Sequence, residues 1–269
     1  MMSDNTPAVH DEEREEAKKH DVIYGHPDVE RLRMKPTDWE KFDRMTEPFD
    51  AYAGSMLRLG QIDGLHVLDA GCGDGWLSVI LAKRGASFVD AFDISEEGVR
   101  VARQRAELNG VAARCRFEAG SFYSIPFGDS SADVVIGQSI LHHLGHKDRA
   151  AAELYRVMKP GARAIFREPF GNSLWLERLR LMVPVESAAP EDPGEWARQF
   201  KYSDLDAFRK YFEIEVEEFH FFSRIDRIIS WKPLTSAVAR FDRHLLRVLP
   251  FVRPFARAIV VELRRPLRP

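Results

Sequence analysis

The stretch Val67-Leu68-Asp69-Ala70-Gly71-Cys72-Gly73-Asp74-Gly75 decides the fold of this chain. A short apolar run of strand type leads into a loop with glycines at alternate positions, and Trp76–Ala82 then continues as a helix. Glycines at such a turn let a ligand approach the main chain because no Cβ atom is in the way, and the first helical N–H groups carry a partial positive charge. The stretch therefore predicts a strand, a tight turn and a helix that together hold a small ligand.

The spacing of these glycines argues against a NAD site. The loop reads GxGxG, and Trp76 stands where the dinucleotide fingerprint GxGxxG has its third glycine, the one that permits close helix–strand packing. For the loop taken alone, tight packing without any ligand remains the structural alternative.

Two further motifs follow the glycine loop in order. Asp93 ends the apolar run that begins at Phe88, and the run Asp133–Gln138 is followed by Leu141-His142-His143-Leu144. Together the three motifs resemble the class I S-adenosylmethionine-dependent methyltransferases, closely over about Leu65 to Pro169. The remainder is more loosely similar to bacterial small-molecule methyltransferases of type 11. The resemblance implies a Rossmann-like fold with S-adenosylmethionine as cofactor.

Composition allows a full hydrophobic core. The chain has 269 residues, 45% of them hydrophobic, and a net charge of −3, which gives no general reason to expect nucleic acid as a partner. Its two cysteines, Cys72 and Cys115, are too few for a disulfide framework and lack metal-ligand spacing. No signal peptide is evident, and no run reaches the roughly 18 apolar residues of a membrane span. We therefore expect a soluble, cytoplasmic protein without a metal site.

Strands and helices alternate from Leu65 onward, which predicts an α/β fold. The predicted elements are Val67–Asp69, Trp76–Arg84, Phe88–Asp93, Glu96–Asn109, Arg114–Ala119, Ala132–Ile136, Lys147–Met158 and Ala162–Arg167. Short apolar strands separated by helices of about ten residues imply right-handed crossovers and a parallel sheet covered on both faces. A later strand, Phe212–Phe222, is expected to run parallel to the others. The resemblance adds an antiparallel last strand, Ala258–Leu263.

A single domain is predicted for residues 21–269. Residues 1–20 are charged and lack apolar periodicity, which indicates a disordered tail or a solvated helix. Cap insertions are expected near residues 169–203 and 223–254, and the second contains a basic amphipathic helix around Ala237–Leu249. Arg224, Arg227 and Arg240 could bind an anionic group of the acceptor, or this helix could rest on a membrane surface; exposure to solvent is the favoured interpretation.

An amphipathic helical segment, Asp38–Leu59, precedes the first strand and is interrupted at Pro48. In the family such helices lie across the cofactor mouth. Tyr24, Trp39 and Tyr52 are therefore candidates for ligand contact, with packing of an apolar face as the favoured alternative for each.

Candidate cofactor residues fall at the strand ends, where an open parallel sheet binds ligands. The resemblance implies that S-adenosylmethionine is held by Asp69, Gly71, Cys72, Gly73, Asp93, Ile94, Gly120, Ser121, Phe122 and Gln138. Asp93 is expected to accept hydrogen bonds from both ribose hydroxyls, with helix capping as the alternative. Ser121 departs from the acidic residue common in the family, so the backbone, the Ser121 hydroxyl or Phe122 would recognise the adenine.

Three histidines, His142, His143 and His146, are the candidate catalytic residues, because imidazole readily takes a proton near neutral pH. We expect one of them, His146 or His142 first, to polarise the acceptor nucleophile; for His143, buried packing is the alternative. No carboxylate or cysteine joins them at ligand spacing, so metal is not predicted.

The two caps are rich in aromatic residues, which is typical of small-molecule sites. The predicted acceptor-binding residues are Glu168, Phe170, Trp175, Trp196, Phe200 and Trp231. The sequence thus predicts methyl transfer to an O, N or C nucleophile of a small, hydrophobic or lipid-like molecule, as in natural-product biosynthesis. A non-catalytic S-adenosylmethionine-binding regulator and, less favoured, a NAD-dependent oxidoreductase are the alternatives.

Overall fold

A seven-stranded sheet lies at the centre of the computed structural model, which describes residues 7–25, 28–48, 50–171, 199–222 and 231–267. The strands are β1 (His66–Ala70), β2 (Phe88–Asp93), β3 (Cys115–Ala119), β4 (Ala132–Gln138), β5 (Met158–Pro169), β6 (Glu213–Phe219) and β7 (Ala258–Arg264). Their order is β3-β2-β1-β4-β5-β7-β6. The order reverses between β1 and β4, which is where open α/β sheets bind ligands.

The strand directions agree with the sequence. Strands β1 to β5 are parallel, whereas β7 is antiparallel to both of its neighbours, β5 and β6. Strand β6 therefore runs in the same direction as the parallel strands, as predicted for Phe212–Phe222. The predicted Rossmann-like sheet with an antiparallel last strand is confirmed.

Alternate strand residues face two hydrophobic cores, one on each side of the sheet. Val67 and Ile136 belong to one core, and Leu68 and Val135, their sequence neighbours, belong to the other. Successive side chains of a strand point to opposite faces, so a continuous apolar run is what a doubly covered sheet requires.

Helices cover these two faces and the carboxyl edge. They are α1 (Pro7–Tyr24), α2 (Val29–Leu32), α3 (Thr37–Asp43), α4 (Ala51–Leu59), α5 (Trp76–Lys83), α6 (Glu96–Leu108), α7 (Lys147–Val157), α8 (Asp206–Arg209) and α9 (Lys232–Val248). Helix α6 begins as its sequence predicts, because the Ser95 hydroxyl accepts a hydrogen bond from Gly98 N at 2.9 Å. None of the described helices combines the length and apolarity needed to cross a lipid bilayer.

Residues 7–20 are helical, which is one of the two states that the sequence indicated, but the helix packs against α6 instead of being fully solvated. Asp21 on this helix accepts hydrogen bonds from Ser95 Oγ at 2.5 Å and from Glu97 N at 3.2 Å, which ties α1 to the first turn of α6. A helix held by polar contacts shows no helical spacing of apolar residues in its sequence. The segment therefore looked like one that is exposed to solvent. Helix α1 instead packs with the part of the chain that was predicted to form the domain from residue 21 onward.

The two insertions leave the sheet at its carboxyl edge. Phe170 and Phe200 form an isolated parallel bridge at the two ends of the first, while residues 172–198 lie outside the described residues. The second includes α9, which begins five residues before the predicted Ala237. The buried Asp242 carboxylate of α9 accepts a hydrogen bond from Phe222 N at 2.9 Å and so fixes α9 beside the end of β6.

Candidate functional site

The glycine loop joins the ends of β1 and β2. Gly71 N and Cys72 N both donate to the carbonyl oxygen of Phe92 at 2.9 Å. Gly71, Gly73 and Gly75 all have left-handed backbone angles, with φ of 76°, 50° and 75°. Residues with a Cβ rarely adopt such angles, so the alternate glycines follow from the shape of this turn.

Each of the three glycines meets a different neighbour. Gly71 lines a cavity. A Cβ on Gly73 would lie 2.5 Å from the Tyr24 hydroxyl, and one on Gly75 would lie 2.7 Å from Ala102 on α6. The loop therefore serves close packing at Gly75 and exposes main chain to the cavity at Gly71.

Asp93 lies at the end of β2, with its carboxylate against the loop. Its Oδ2 accepts a hydrogen bond from Gly73 N at 2.8 Å, and its Oδ1 accepts one from Ser95 N at 3.0 Å. The side chain is buried but lines the cavity. Each carboxylate oxygen can accept a second hydrogen bond. Asp93 thus braces the start of α6, the alternative role that the sequence left open, and its carboxylate also lines the cavity, where contact with a ribose stays a prediction.

The cavity occupies about 270 Å³ at the carboxyl edge of the sheet. Six of the ten predicted cofactor residues line it: Gly71, Asp93, Ile94, Gly120, Phe122 and Gln138. An exposed main chain, a carboxylate and apolar walls meet here, which suits a ligand that carries a ribose, an aromatic base and an amino acid. The residues present therefore fit S-adenosylmethionine.

The other four predicted cofactor residues do not line the cavity. Gly73 is covered by Tyr24, and the Ser121 hydroxyl bonds to the Glu13 carboxylate. The Cys72 thiol is buried, and burial raises its pKa well above the ordinary value. These residues shape the loop and its surroundings instead.

Asp69 is the fourth of them and is a buried structural carboxyl. It is 1% exposed and accepts a hydrogen bond from Ser78 Oγ at 2.5 Å. Burial raises its pKa to about 7, against the opposing effect of the Ser78 hydrogen bond. The sequence did not predict this buried position of Asp69. The alternation of side chains along a strand shows which face of the sheet a residue lies on, but not how far the residue is from the end of the strand.

The structure separates the three candidate histidines. His143 lines the cavity, and its Nδ1 lies 2.8 Å from Glu16 Oε1 on α1. His142 lies outside the cavity lining, with Nδ1 2.7 Å from Glu168 Oε2. His146 is exposed at the start of α7. His143 therefore replaces His146 and His142 as the histidine best placed to meet a ligand.

Helix α1 covers the cavity; the sequence analysis proposed a ligand contact for its residue Tyr24 but assigned no role to residues 7–20. Glu13, Glu16, His20 and Tyr24 contribute to the lining. Hydrogen bonds from His143 and then His20 hold the pKa of the Glu16 carboxyl well below its ordinary value. In the sequence, the signal for this part of the site was the spacing of four between Glu16 and His20 on α1. Nothing in the sequence showed that Glu16 would pair with His143, which lies 127 positions away.

The predicted acceptor residues do not converge on this cavity. Phe170 and Phe200 are 1% and 0% exposed in the core, and Trp231 is 63% exposed to solvent. Glu168 is fully buried, and its carboxylate accepts hydrogen bonds from the N–H groups of Ile140 and Leu141. Trp175 and Trp196 lie outside the described residues. Of these six, the described four therefore support the fold around the site or face solvent.

Comparisons with known proteins identify the segment that builds this site. Residues 67–161 match the family model described as Methyltransferase domain. The chain is 32% identical over 161 residues to O-methyltransferase cnsE of Penicillium expansum, covering 57% of this chain and 58% of that protein. It is 34% identical over 139 residues to demethylmenaquinone methyltransferase of Lactiplantibacillus plantarum, covering 49% of this chain and 59% of that protein. The chain thus spans less than two thirds of the length of these curated relatives.

Solved structures share the fold. An S-adenosylmethionine dependent methyltransferase from Mesorhizobium loti matches with a TM-score of 0.53 and 20% identity, over 83% of this chain and 100% of that chain. Geranyl diphosphate C-methyltransferase from Streptomyces coelicolor, solved with S-adenosyl-L-homocysteine, matches with a TM-score of 0.56 and 14% identity, over 80% of this chain and 79% of that chain.

Proposed function

Because the chain carries a class I S-adenosylmethionine-dependent methyltransferase domain, we propose that it transfers the cofactor's methyl group to an oxygen, nitrogen or carbon nucleophile of a small molecule. One observation carries the proposal: the exposed main chain at Gly71, the Asp93 carboxylate and the His143 imidazole meet around one cavity at the strand-order reversal. The names of two similar proteins, a demethylmenaquinone methyltransferase and a sterol 24-C-methyltransferase, support a small-molecule acceptor.

The cofactor side of the cavity is formed by β1, β2 and the loop after β3. The Asp93 carboxylate has acceptor capacity left for two hydroxyl groups of a ribose. Ile94 and Phe122 supply apolar walls for a purine, and the main chain at Gly71 faces the amino acid end. S-adenosylmethionine supplies a methyl group already activated by its sulfonium, so the protein's main task is to align donor and acceptor.

His143 is the group that would take a proton from the acceptor. The Glu16 carboxylate beside Nδ1 favours the tautomer with its proton on that nitrogen, which leaves the lone pair on Nε2. A base of this kind is needed for a hydroxyl nucleophile or for an amine that binds in its protonated form and must first lose a proton, whereas an activated carbon nucleophile could react by positioning alone.

The rest of the lining combines an apolar wall with polar groups. Ile140, Leu144 and Tyr123 form this wall, while the α1 residues and His143 supply the polar groups. Apolar walls hold the apolar part of a small-molecule ligand, and the polar groups beside them fix its orientation. We therefore expect a hydrophobic acceptor.

Two measurements test the proposal. Calorimetry should detect binding of S-adenosylmethionine and S-adenosylhomocysteine and none of NAD⁺. Incubation with a panel of phenols, quinones, hydroxy acids and amines should release S-adenosylhomocysteine with at least one acceptor. Preferential binding of NAD⁺ would sink the methyltransferase assignment, while cofactor binding without turnover on the whole panel would favour a non-catalytic, cofactor-binding regulator.

A further inference from the structure

Three buried polar atoms on one side of the sheet have no hydrogen-bond partner among the described residues, and one of them belongs to Gln138, which lines the cavity. They are the Tyr52 hydroxyl oxygen, Gln138 Oε1 and Arg167 Nε. Nearly all buried polar groups in proteins are paired, because an unpaired one costs about 1–3 kcal/mol. Three such atoms in one place therefore indicate a position that receives polar groups of a ligand.

Strand pairing brings two of these side chains together. Gln138 at the end of β4 is the register partner of Arg167 on β5, so both side chains project from the same face of the sheet. Helix α4 lies on that face, because Gln138 Nε2 donates to Ser55 Oγ at 3.0 Å.

The direction of α4 brings the third side chain to the same end. Arg163, four residues before Arg167 on β5, donates to the carbonyl oxygens of Arg58 and Leu59 at the last turn of α4. The first turn of α4 lies close to Arg167, because His220, which feels the Arg167 charge, accepts a hydrogen bond from Ala51 N at 3.4 Å. The Tyr52 hydroxyl also lies within the field of Arg167. Ser55 Oγ, which binds Gln138, also donates to the Tyr52 carbonyl oxygen at 2.7 Å.

The positive charge of Arg167 is not neutralised within the described part of the chain. Its Nη1 donates to the uncharged Ser139 hydroxyl at 2.7 Å, and no described carboxylate pairs with it. Glu168, the next residue, projects from the other face and is occupied by the backbone N–H groups of Ile140 and Leu141. Burial and then the charge of Arg167 lower the pKa of His220 to about 4, so this neighbour is neutral at physiological pH.

Arg167 is directly connected to the cavity wall. Gln138 and Ser139 both line the cavity. Ser139 has a left-handed φ of 57°, and Arg167 holds it twice, since the Arg167 carbonyl oxygen accepts from Ser139 N at 2.8 Å and the guanidinium donates to its hydroxyl. A non-glycine residue in this conformation costs about 1–2 kcal/mol, so the arrangement is maintained by these contacts.

We propose that Arg167 and Tyr52 form an anion subsite for the acceptor, and this rests on the proposed methyl transfer. The two unpaired donors, a guanidinium N–H and a phenol, suit a carboxylate or phosphate oxygen, and a guanidinium binds such oxygens with favourable geometry. Gln138 Oε1, the unpaired acceptor, suits a hydroxyl or amine of the same ligand. The acceptor is accordingly a hydrophobic molecule with an acidic group near its nucleophile.

Matched acid and alcohol probes test the subsite. With S-adenosylhomocysteine at saturation, calorimetry is performed with dodecanoate against dodecanol and with cinnamate against cinnamyl alcohol. We expect the protein to bind the acid at least tenfold more tightly in one of the two pairs. Arg167→Met should abolish this preference and leave alcohol binding unchanged, whereas Arg209→Met, at an exposed surface site, should retain it.

Two further variants keep the test usable if Arg167→Met fails to fold. Arg167→Lys retains the charge and should keep a reduced preference for the acid. Tyr52→Phe removes only the hydroxyl and should lower the preference several-fold. The subsite is overturned if, in both pairs, the unsubstituted protein binds the acid no more tightly than the alcohol, or binds neither. It is also overturned if the preference for the acid is the same in all three variants as in the unsubstituted protein.

The cofactor's own carboxylate is the other source of such an anion. We therefore measure S-adenosylhomocysteine and 5′-methylthioadenosine, which lacks the amino acid end, on the same proteins. The proposal expects Arg167→Met to leave both affinities unchanged. A loss confined to S-adenosylhomocysteine would assign Arg167 to the cofactor and overturn the acceptor subsite. Failure of the proposed methyl transfer is distinguishable: the unsubstituted protein would then bind neither compound, or would bind S-adenosylhomocysteine and turn over no acceptor. Failure of the subsite alone leaves cofactor binding and turnover intact, while the acid and its alcohol bind equally.

Discussion

Asp93 shows how one carboxylate serves both the fold and a ligand. Because its two oxygens already accept from Gly73 N and Ser95 N, Asp93→Ala would disturb the loop as well as the ligand contact. Asp93→Asn retains one carbonyl acceptor and is the better test. We expect it to weaken S-adenosylhomocysteine binding roughly tenfold to a hundredfold, since hydrogen bonds to charged groups contribute about 1.5–3 kcal/mol. Calorimetry measures this, with the exposed-site variant Asp206→Asn as control; equal affinities would contradict a ribose role.

Gly71 gives a second prediction from its backbone angle. A Cβ here would lie 3.0 Å from the Ile140 side chain and would occupy a residue with φ of 76°. We expect Gly71→Ala to lower cofactor affinity at least tenfold and to lower the unfolding temperature by several degrees, because about 1–2 kcal/mol of backbone strain is added. Gly128→Ala, where a Cβ meets no atom within 4 Å, is the matched control. An unchanged affinity would remove the main chain at Gly71 from the site.

His143 predicts the pH dependence of turnover once an acceptor is found. A general base acts in its neutral form, so the rate should rise with pH over about pH 5–8, where imidazole loses its proton. His143→Gln should remove this ascending limb, because the imidazole that lines the cavity is then absent. His146→Gln, at an exposed position, should keep the profile of the unsubstituted protein. If the rate of His143→Gln still rises over this pH range, His143 is not the general base, and catalysis rests on positioning or on another base.

Asp69 predicts a pH dependence of stability instead. Burial raises its pKa in the folded protein from 3.8 to about 7, so between these pH values the folded state holds a proton that the unfolded state has lost. Its contribution to stability is therefore present at low pH and decreases as the pH rises towards 7, by at most about 1.4 kcal/mol per pH unit. Asp69→Asn lacks this titration. Urea unfolding from pH 4.5 to 8 should show the unsubstituted protein losing stability relative to the variant, and a constant difference would contradict the raised pKa.

At the scale of secondary-structure elements, α1 has the largest effect on the site. It supplies Tyr24 over Gly73, Glu16 beside His143, and Asp21 at the start of α6. These three contacts lie at intervals of three and five residues on one helix, so a single rigid element covers the loop, the candidate base and the helix that follows Asp93. Closure by such an element excludes water from a site.

Release of the cofactor should therefore depend on α1. We expect Tyr24→Ala to increase the dissociation rate of S-adenosylhomocysteine about tenfold, equivalent to roughly 1.4 kcal/mol. Val22→Ala, 82% exposed on the same helix, is the control for helix stability. Stopped-flow fluorescence measures both rates. Equal dissociation from both variants would mean that α1 packs beside the site without retaining the ligand.

At the scale of the whole molecule, the cavity lies where the parallel strands end and the strand order reverses. Strands β1 and β4 are neighbours in the sheet, yet β2 and β3 intervene in the chain, so their connections leave on opposite sides. The space between these connections is where a ligand can reach main chain from two elements. Both insertions also leave from this edge, but in the described residues their aromatic side chains pack into the core or face solvent rather than the cavity.

What the sequence by itself determined is the sheet, its alternating helices, the glycine loop and Asp93 at a strand end. These features are local. Apolar periodicity indicates which residues are buried, and alternate glycines indicate positive backbone φ angles that other residues rarely adopt. A carboxylate after an apolar run indicates the end of a strand. Each can be recognised within about ten consecutive residues, without knowing which segments meet.

Only the tertiary structure decided which polar side chains share the site. The Glu16–His143 pair joins residues 127 positions apart, and Tyr52 with Gln138 and Arg167 joins a helix to two strands. Asp69 and Asp93 both stand at the ends of apolar runs, yet the first is sealed beneath Ser78 and the second faces the cavity. Periodicity indicates that a residue is buried but does not indicate which residues surround it. The charge and the hydrogen bonds of a buried group depend on those neighbours.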